Sequence, residues 1–290
     1  MSPDRPSWID PREYPFDSHY FTTPAGRMHY LDEGQGPPIV FAHGNPAWSF
    51  EFRNLIKALA PTHRCIAADL LGFGLSDKPW EFDYLPIHQA ANLALLLDSL
   101  DLRDATIYGQ DWGGPTGFSW ALGHPERVRA LVASNTWLWS VQHDWYYKAF
   151  SGFVGGPLGR YLIRHRNFFA RRVMRMAYGD KRRLTPEIHA HYLNTLPTQQ
   201  DRKGCWVFPG QVVGSSEWLA SLWAQRSKLK GKRMLLAWGM KDIAFREKEL
   251  DTWRAEFPDA RVVRYPDAGH YVAEEKPAEL AAEIASLLNG

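Results

Sequence analysis

The chain is predicted to fold as an α/β protein with a mainly parallel, eight-stranded sheet and helices on both of its faces. Three observations carry this expectation. Short apolar runs such as Pro38-Ile39-Val40-Phe41-Ala42 and Val128 to Ser134 lack alternation, as strands buried on both faces do. Between such runs lie segments whose apolar positions recur every three or four residues, as in Ile87 to Leu100. A length of 290 residues at 45% apolar composition suffices for one large domain, or for a core of about 200 residues carrying an insertion.

In chain order, two alternating segments between His19 and Asp32 flank Pro24-Ala25-Gly26 and predict an antiparallel hairpin at a sheet edge. The buried strand Pro38 to Ala42 runs into His43-Gly44-Asn45-Pro46, a turn whose backbone N–H groups should point into the pocket above the sheet. Trp48 to Leu59 has helical spacing, Cys65 to Leu70 reads as a strand, and Ile87 to Leu100 as a helix. Thr106-Ile-Tyr-Gly-Gln-Asp-Trp-Gly-Gly114 then reads as a buried strand that turns sharply into a helix with Asp111 at the apex. Val128 to Ser134 is the sixth strand, and Met234 to Trp238 and Val262 to Tyr265 are the last two, with helices at Glu247 to Glu256 and Ala278 to Leu288.

Between Asn135 and about Leu229 this rhythm stops, and a helical, aromatic and basic stretch takes over. It predicts a helical cap, residues 136–229, inserted after the sixth strand into a core made of residues 1–135 and 230–290. Its aromatics, from Trp137 to Phe169, are read as the core of the cap, and its cations, from Arg160 to Arg183, as a solvated face without a nucleic-acid or lipid role.

Composition excludes several classes. Met1 to Pro15 carries four prolines among charges and no apolar run, so neither a signal peptide nor a membrane span is expected, and the expected compartment is the cytoplasm. Cys65 and Cys205 are far apart, which indicates neither a disulfide framework nor a cysteine zinc site. A net charge of +2 gives no reason to expect nucleic acid or an anionic membrane as partner. Gly72-Phe73-Gly74-Leu75-Ser76-Asp77 is read as a tight loop, because no helix opens after it and Pro79 follows.

Gly109-Gln110-Asp111-Trp112-Gly113 has the Gly-x-Nuc-x-Gly spacing of a nucleophile elbow, in which flanking glycines permit a strained strand-to-helix turn. Aspartate at the apex narrows the chemistry. A serine that displaced a group from saturated carbon would leave an ether, which water cannot easily remove, whereas an aspartate leaves an ester that water can open. The second step needs a base and a carboxylate to orient it. His270, in Asp267-Ala268-Gly269-His270-Tyr271 after the last strand, is the expected base; Asp242, in Gly239-Met240-Lys241-Asp242 after the next-to-last strand, is the expected acid. His43 is read as a structural histidine and His165, His189 and His191 as surface or cap packing. The order nucleophile, acid, histidine, each just beyond a strand, is that of the α/β-hydrolases.

With these residues assembled, the chain resembles the haloalkane dehalogenases over nearly its whole length, through His43-Gly44-Asn45-Pro46-Ala47-Trp48, Gly72 to Ser76, Gln110 to Gly114, Gly239 to Asp242 and Gly269-His270. The resemblance implies an α/β-hydrolase fold and hydrolysis of a small haloalkane to a primary alcohol and chloride or bromide. It implies Asp111 as nucleophile and the Trp112 indole and Asn45 side chain as halide donors, with the backbone N–H groups of Asn45 and Trp112 as oxyanion hole. No metal or organic cofactor is implied, and a monomer and a homo-oligomer are equally compatible. The family places the acid after either of two strands; Asn135 occupies the first position, so Asp242 takes the role, as in the subgroup with Asn-Thr-Trp there.

The nearest rival is an epoxide hydrolase with the same triad and two proton-donating cap tyrosines, for which Tyr146, Tyr147, Tyr161, Tyr178 and Tyr192 are available. Asn45 argues against it, because a halide leaving into an apolar slot needs a polar donor there. A fluoroacetate-type enzyme would carry arginine at position 112, a serine esterase a serine at 111, and a pure binding protein would have no need of His270 and Asp242 together.

Overall fold

The computed structural model describes residues 6–289, so the first five residues of the proline-rich opening lie outside it. The eight strands are β1 (His19–Thr23), β2 (Gly26–Glu33), β3 (Pro38–Ala42), β4 (Arg64–Ala68), β5 (Ala105–Gln110), β6 (Val128–Ser134), β7 (Arg233–Gly239) and β8 (Arg261–Tyr265). They form one sheet in the order β1-β2-β4-β3-β5-β6-β7-β8. β1 pairs with β2, and β2 with β4, antiparallel; every other pairing is parallel.

Alternating side chains on the central strands feed two separate core layers, as strand geometry requires. On one face Ile107, Leu131 and Leu236 pack with helices α2 (Pro86–Ser99) and α3 (Gly113–Gly123). On the other, Phe41, Tyr108 and Val132 pack with α1 (Arg53–Leu59) and the C-terminal helix Pro277–Asn289. Each fully buried large apolar side chain contributes about 1.5–3 kcal/mol relative to exposure. Those contributions hold the central strands on both faces.

Two expected elements differ in detail. Trp48 to Leu59 is not one helix: a tight 3-10 turn, Ser49–Phe52, precedes α1. The fourth strand ends at Ala68 and not Leu70, because Asp69 turns inward. Its carboxylate accepts N–H bonds from Ser49 (2.7 Å) and Leu75 (2.8 Å) and pairs with His29 (2.9 Å), which fixes both the turn and the strand end.

Six helices lie between β6 and β7: α4 (Trp145–Val154), α5 (Pro157–Arg166), α6 (Met174–Ala177), α7 (Pro186–Leu193), α8 (Lys203–Gly214) and α9 (Ser216–Ala224). After β7 come α10 (Glu247–Glu256), α11 (Val272–Glu275) and α12 (Pro277–Asn289). From β3 the chain crosses to β4 on one side and later to β5 on the other. Such a reversal opens a crevice beyond the carboxyl ends of the parallel strands, where ligands of open α/β sheets bind. His43 to Pro46 and Asp111 both leave strands at that crevice.

Candidate active site

Asp111 sits at the turn from β5 into α3 with φ +50°, a left-handed conformation that costs an aspartate on the order of 1–3 kcal/mol. The surroundings hold it there. Its N–H donates to the Asn135 carbonyl (3.1 Å), and the Thr136 hydroxyl donates to its own carbonyl (2.6 Å). Close approach makes two glycines necessary: a Cβ on Gly113 would lie 1.8 Å from the Ala42 carbonyl oxygen, and one on Gly44 would lie 2.1 Å from Asp111 Oδ1. Any side chain at either position would displace the elbow from the turn that faces it.

The Asp111 carboxylate is divided between two partners. Oδ1 accepts the backbone N–H of Asn45 (3.0 Å), and the backbone N–H of Trp112 lies close enough to favour the charged carboxylate. Oδ2 faces His270 Nε2 at 3.6 Å. Burial raises the Asp111 pKa above the usual aspartate value, opposed by the charge of His270 and by the two amide donors. One oxygen is thus polarised by donors, and the other is left free to act.

His270 Nδ1 meets Asp242 Oδ2 at 2.9 Å. Burial alone would push the imidazole pKa down, but the charges of Asp242 and Asp111 outweigh it and raise it to about 9. The two carboxylates that flank the ring thus favour its protonated form in the resting site. Its backbone is fixed too, since the His270 N–H donates to the Ala177 carbonyl (2.9 Å) and the Gln110 side chain donates to the His270 carbonyl (3.2 Å).

Asn135, to which the sequence assigns no role beyond packing or loop bonding, holds the acid in place. Its Nδ2 donates to Asp242 Oδ2 (2.8 Å) and to the Gly239 carbonyl (3.1 Å), while its Oδ1 accepts the Gly239 N–H (2.8 Å). The same residue's carbonyl ties down Asp111, so one side chain and its backbone link both carboxylates of the site. Ala244 N–H donates to the other oxygen of Asp242 (2.7 Å).

Sequence reasoning also missed an aromatic run beside the triad. Phe245 stacks on His270 at 5.8 Å and on Trp137 at 4.8 Å, and Trp137 meets Trp112 edge-on at 4.6 Å. Such pairs add about 0.5–1.5 kcal/mol each beyond their burial and fix ring orientation. The imidazole of His270 and the indole of Trp112 are aligned by one continuous run of ring contacts.

Above Asp111 lies a cavity of about 100 Å³, of the order that holds one small apolar molecule. Asn45, Asp111, Trp112 and His270 line its floor, and Tyr146, Tyr147 and Phe150 of α4 and Pro209 and Val212 of α8 are among its cap residues. The Trp112 indole N–H meets no acceptor among the described residues. The Asn45 amide donates one hydrogen to the Cys205 carbonyl on α8 (3.2 Å), which ties core to cap and leaves its second N–H unclaimed.

The competing histidines keep structural surroundings. Leu70 N–H donates to His43 Nε2 (2.9 Å), so His43 Nδ1–H is directed at the Gly44 carbonyl (2.8 Å), and burial lowers its pKa. His165 is exposed against Tyr161, His189 bonds the Ala170 carbonyl, and His191 stacks on Phe50. Three tyrosines line the cavity, Tyr146 and Tyr147 from the cap and Tyr271 from the core beside His270. The two cap tyrosines turn their hydroxyls away to the core loop: Tyr147 donates to the Ala244 carbonyl (3.0 Å) and Tyr146 to that of Ile243. Tyr192 donates to buried Glu274, Tyr161 is exposed, and Tyr178 is buried outside the cavity lining.

The sheet order and the elbow define the class: the sequence profile of the α/β-hydrolase fold family matches residues 37–277, and the chain belongs to that family. Within it the relatives are specific. A Mycobacterium tuberculosis protein named haloalkane dehalogenase 2 is 41% identical over 277 residues, covering 95% of this chain and 96% of the relative. The solved structure of haloalkane dehalogenase DbeA from Bradyrhizobium elkani is 27% identical with a TM-score of 0.83, covering 94% of this chain and 99% of that one. The chain belongs to the haloalkane dehalogenases. It is also 32% identical, over 93% of its length and 87% of the relative's, to a Shewanella oneidensis protein named cis-3-alkyl-4-alkyloxetan-2-one decarboxylase.

Proposed function

We propose that the protein hydrolyses haloalkanes to a primary alcohol and halide through a covalent alkyl-aspartate ester, with residues 136–229 acting as a cap over a core of 1–135 and 230–290. Asp111 Oδ2 attacks the halogen-bearing carbon, a carbon–oxygen bond forms, and the halide leaves with the bonding pair. The Trp112 indole N–H and the free Asn45 amide N–H meet that anion in an otherwise apolar slot, where an unpaired charge would be costly. Esterification removes the charge of Asp111, which lowers the proton affinity of His270, so the ring gives its proton to solvent water, balancing the halide that leaves, and becomes a base. Held by Asp242, it takes a proton from water. The hydroxide attacks the ester carbonyl, whose oxygen, Oδ1, already accepts the N–H of Asn45 and would take that of Trp112 as its charge grows. The ester breaks to alcohol and the free carboxylate.

The observation that carries this reading is the split use of one carboxylate, Oδ1 on the Asn45 N–H and Oδ2 opposite His270, beneath an apolar cavity. The epoxide reading needs two cap tyrosines as donors, and the hydroxyls of the two that line the cavity, Tyr146 and Tyr147, are spent on carbonyls of the core loop. The oxetanone decarboxylase named among the relatives acts on a ring carrying two alkyl arms, which a cavity of about 100 Å³ suits less well than a short haloalkane. Bromide measured from a bromoalkane panel, beside diol from styrene oxide, tests the choice. Bromide without diol is expected; diol without bromide would reverse it.

A further inference from the structure

Whole-chain neutrality conceals a separation of charge. Ten of the 39 residues from Trp145 to Arg183 are Lys or Arg and one is acidic, whereas the rest of the chain carries 24 basic and 31 acidic residues. That one acid, Asp180, is already bonded by Arg182. The other cations of the stretch, Arg171, Arg172 and Arg175 among them, are exposed and make no ion pair among the described residues.

The same stretch exposes large apolar side chains in register. Helix α4 turns Tyr146, Tyr147 and Phe150 to the cavity and leaves Trp145 (76% exposed), Lys148 and Phe153 (59%) exposed outside the cavity lining. After the Gly155-Gly156 turn, α5 leaves Leu158 (58%), Arg160, Tyr161 (56%) and Arg164 outside. Below them Phe169, Val173 and Ala177 line the cavity, while Arg171, Arg172, Arg175 and Met176 face out. Helix α4 and the segment from Phe169 to Ala177 therefore have one side on the cavity, α5 buries Gly159 and Ile163 against the rest of the cap, and all three have an outer side of aromatics, Leu or Met set among cations without an ion pair. Core packing accounts for the inner side only.

We infer that this outer face of the cap docks on an anionic lipid surface. Charge complementarity and the large apolar tips together select the partner. A headgroup layer takes the cations while Trp145, Phe153, Leu158 and Tyr161 enter the acyl boundary, the arrangement that holds interfacial helices. A second copy of the same face would set the unpaired cations against one another, and a nucleic-acid backbone offers nothing to Phe153 or Leu158. No helix among the described residues is long and apolar enough to cross a membrane, so the contact is one of the surface. The docked face forms the roof of the cavity, which places the roof beside the phase into which apolar molecules partition.

Sedimentation of the full chain with phosphatidylcholine vesicles, with and without phosphatidylglycerol, tests the docking apart from any chemistry at Asp111. Binding is expected only with phosphatidylglycerol and is expected to be lost at high salt. Replacing Arg171, Arg172 and Arg175 together by Gln should weaken it about a hundredfold, since each basic residue near such a surface contributes roughly a factor of five. Trp145→Ser with Phe153→Ser should weaken it independently, with Tm and turnover of a dissolved substrate unchanged in both variants. Equal binding to neutral vesicles, no binding at low salt, an unaffected charge variant, preference for single-stranded nucleic acid, or self-association lost in the same variants would each overturn the inference.

Discussion

His270→Gln is expected to stop the reaction with the substrate still attached to the protein. Displacement of halide by Asp111 needs no base, so alkylation should proceed and one equivalent of bromide should appear. Hydrolysis needs the imidazole, and losing a positioned general base costs roughly 10²–10⁴ in rate. Gln keeps the shape near Asp242 and cannot take the proton from water. Intact-protein mass spectrometry after incubation with a bromoalkane should show a single added alkyl group, which fragmentation should assign to Asp111. An unmodified protein that has released bromide would contradict the two-step order.

Trp112→Phe and Asn45→Ala are each expected to slow bromide production by about 10²-fold, on the order of 3 kcal/mol, if a halide donor matters as an oxyanion donor does. The two substitutions isolate the donors. Phe at 112 keeps an aromatic ring facing Trp137 and Phe208 while removing the indole N–H with its five-membered ring. Ala at 45 preserves the backbone N–H on Asp111 Oδ1 and removes the side-chain amide, along with its bond to Cys205. Pre-steady-state bromide release is the measurement, because it reads the step in which the anion forms. Unchanged bursts in both variants would remove Asn45 and Trp112 from the halide site.

Much of the fold was legible because its signals are local. Unbroken apolar runs marked the parallel strands, and the glycine spacing around Asp111 marked the elbow, whose need for Gly113 the 1.8 Å approach to Ala42 explains. The triad could be assembled because the ends of parallel strands share one edge of a sheet, so Asp111, Asp242 and His270 had to meet there. Asn135 was not legible: its bond to Asp242 joins residues 107 positions apart and depends on the register of β6 with β7. The stack of Trp112, Trp137, Phe245 and His270 was hidden for the same reason, as was the turn of Tyr146 and Tyr147 toward the loop at Ile243 and Ala244. Which face of a cap helix meets the cavity is set by tertiary packing, and helical spacing alone leaves it open.

The central claim is that the product's oxygen comes from Asp111 and that water repairs the carboxylate. A single turnover with enzyme in excess over a bromoalkane in ¹⁸O-labelled water decides it. The account predicts unlabelled alcohol and one labelled oxygen in the peptide that carries Asp111; labelled alcohol with an unlabelled Asp111 peptide would contradict it.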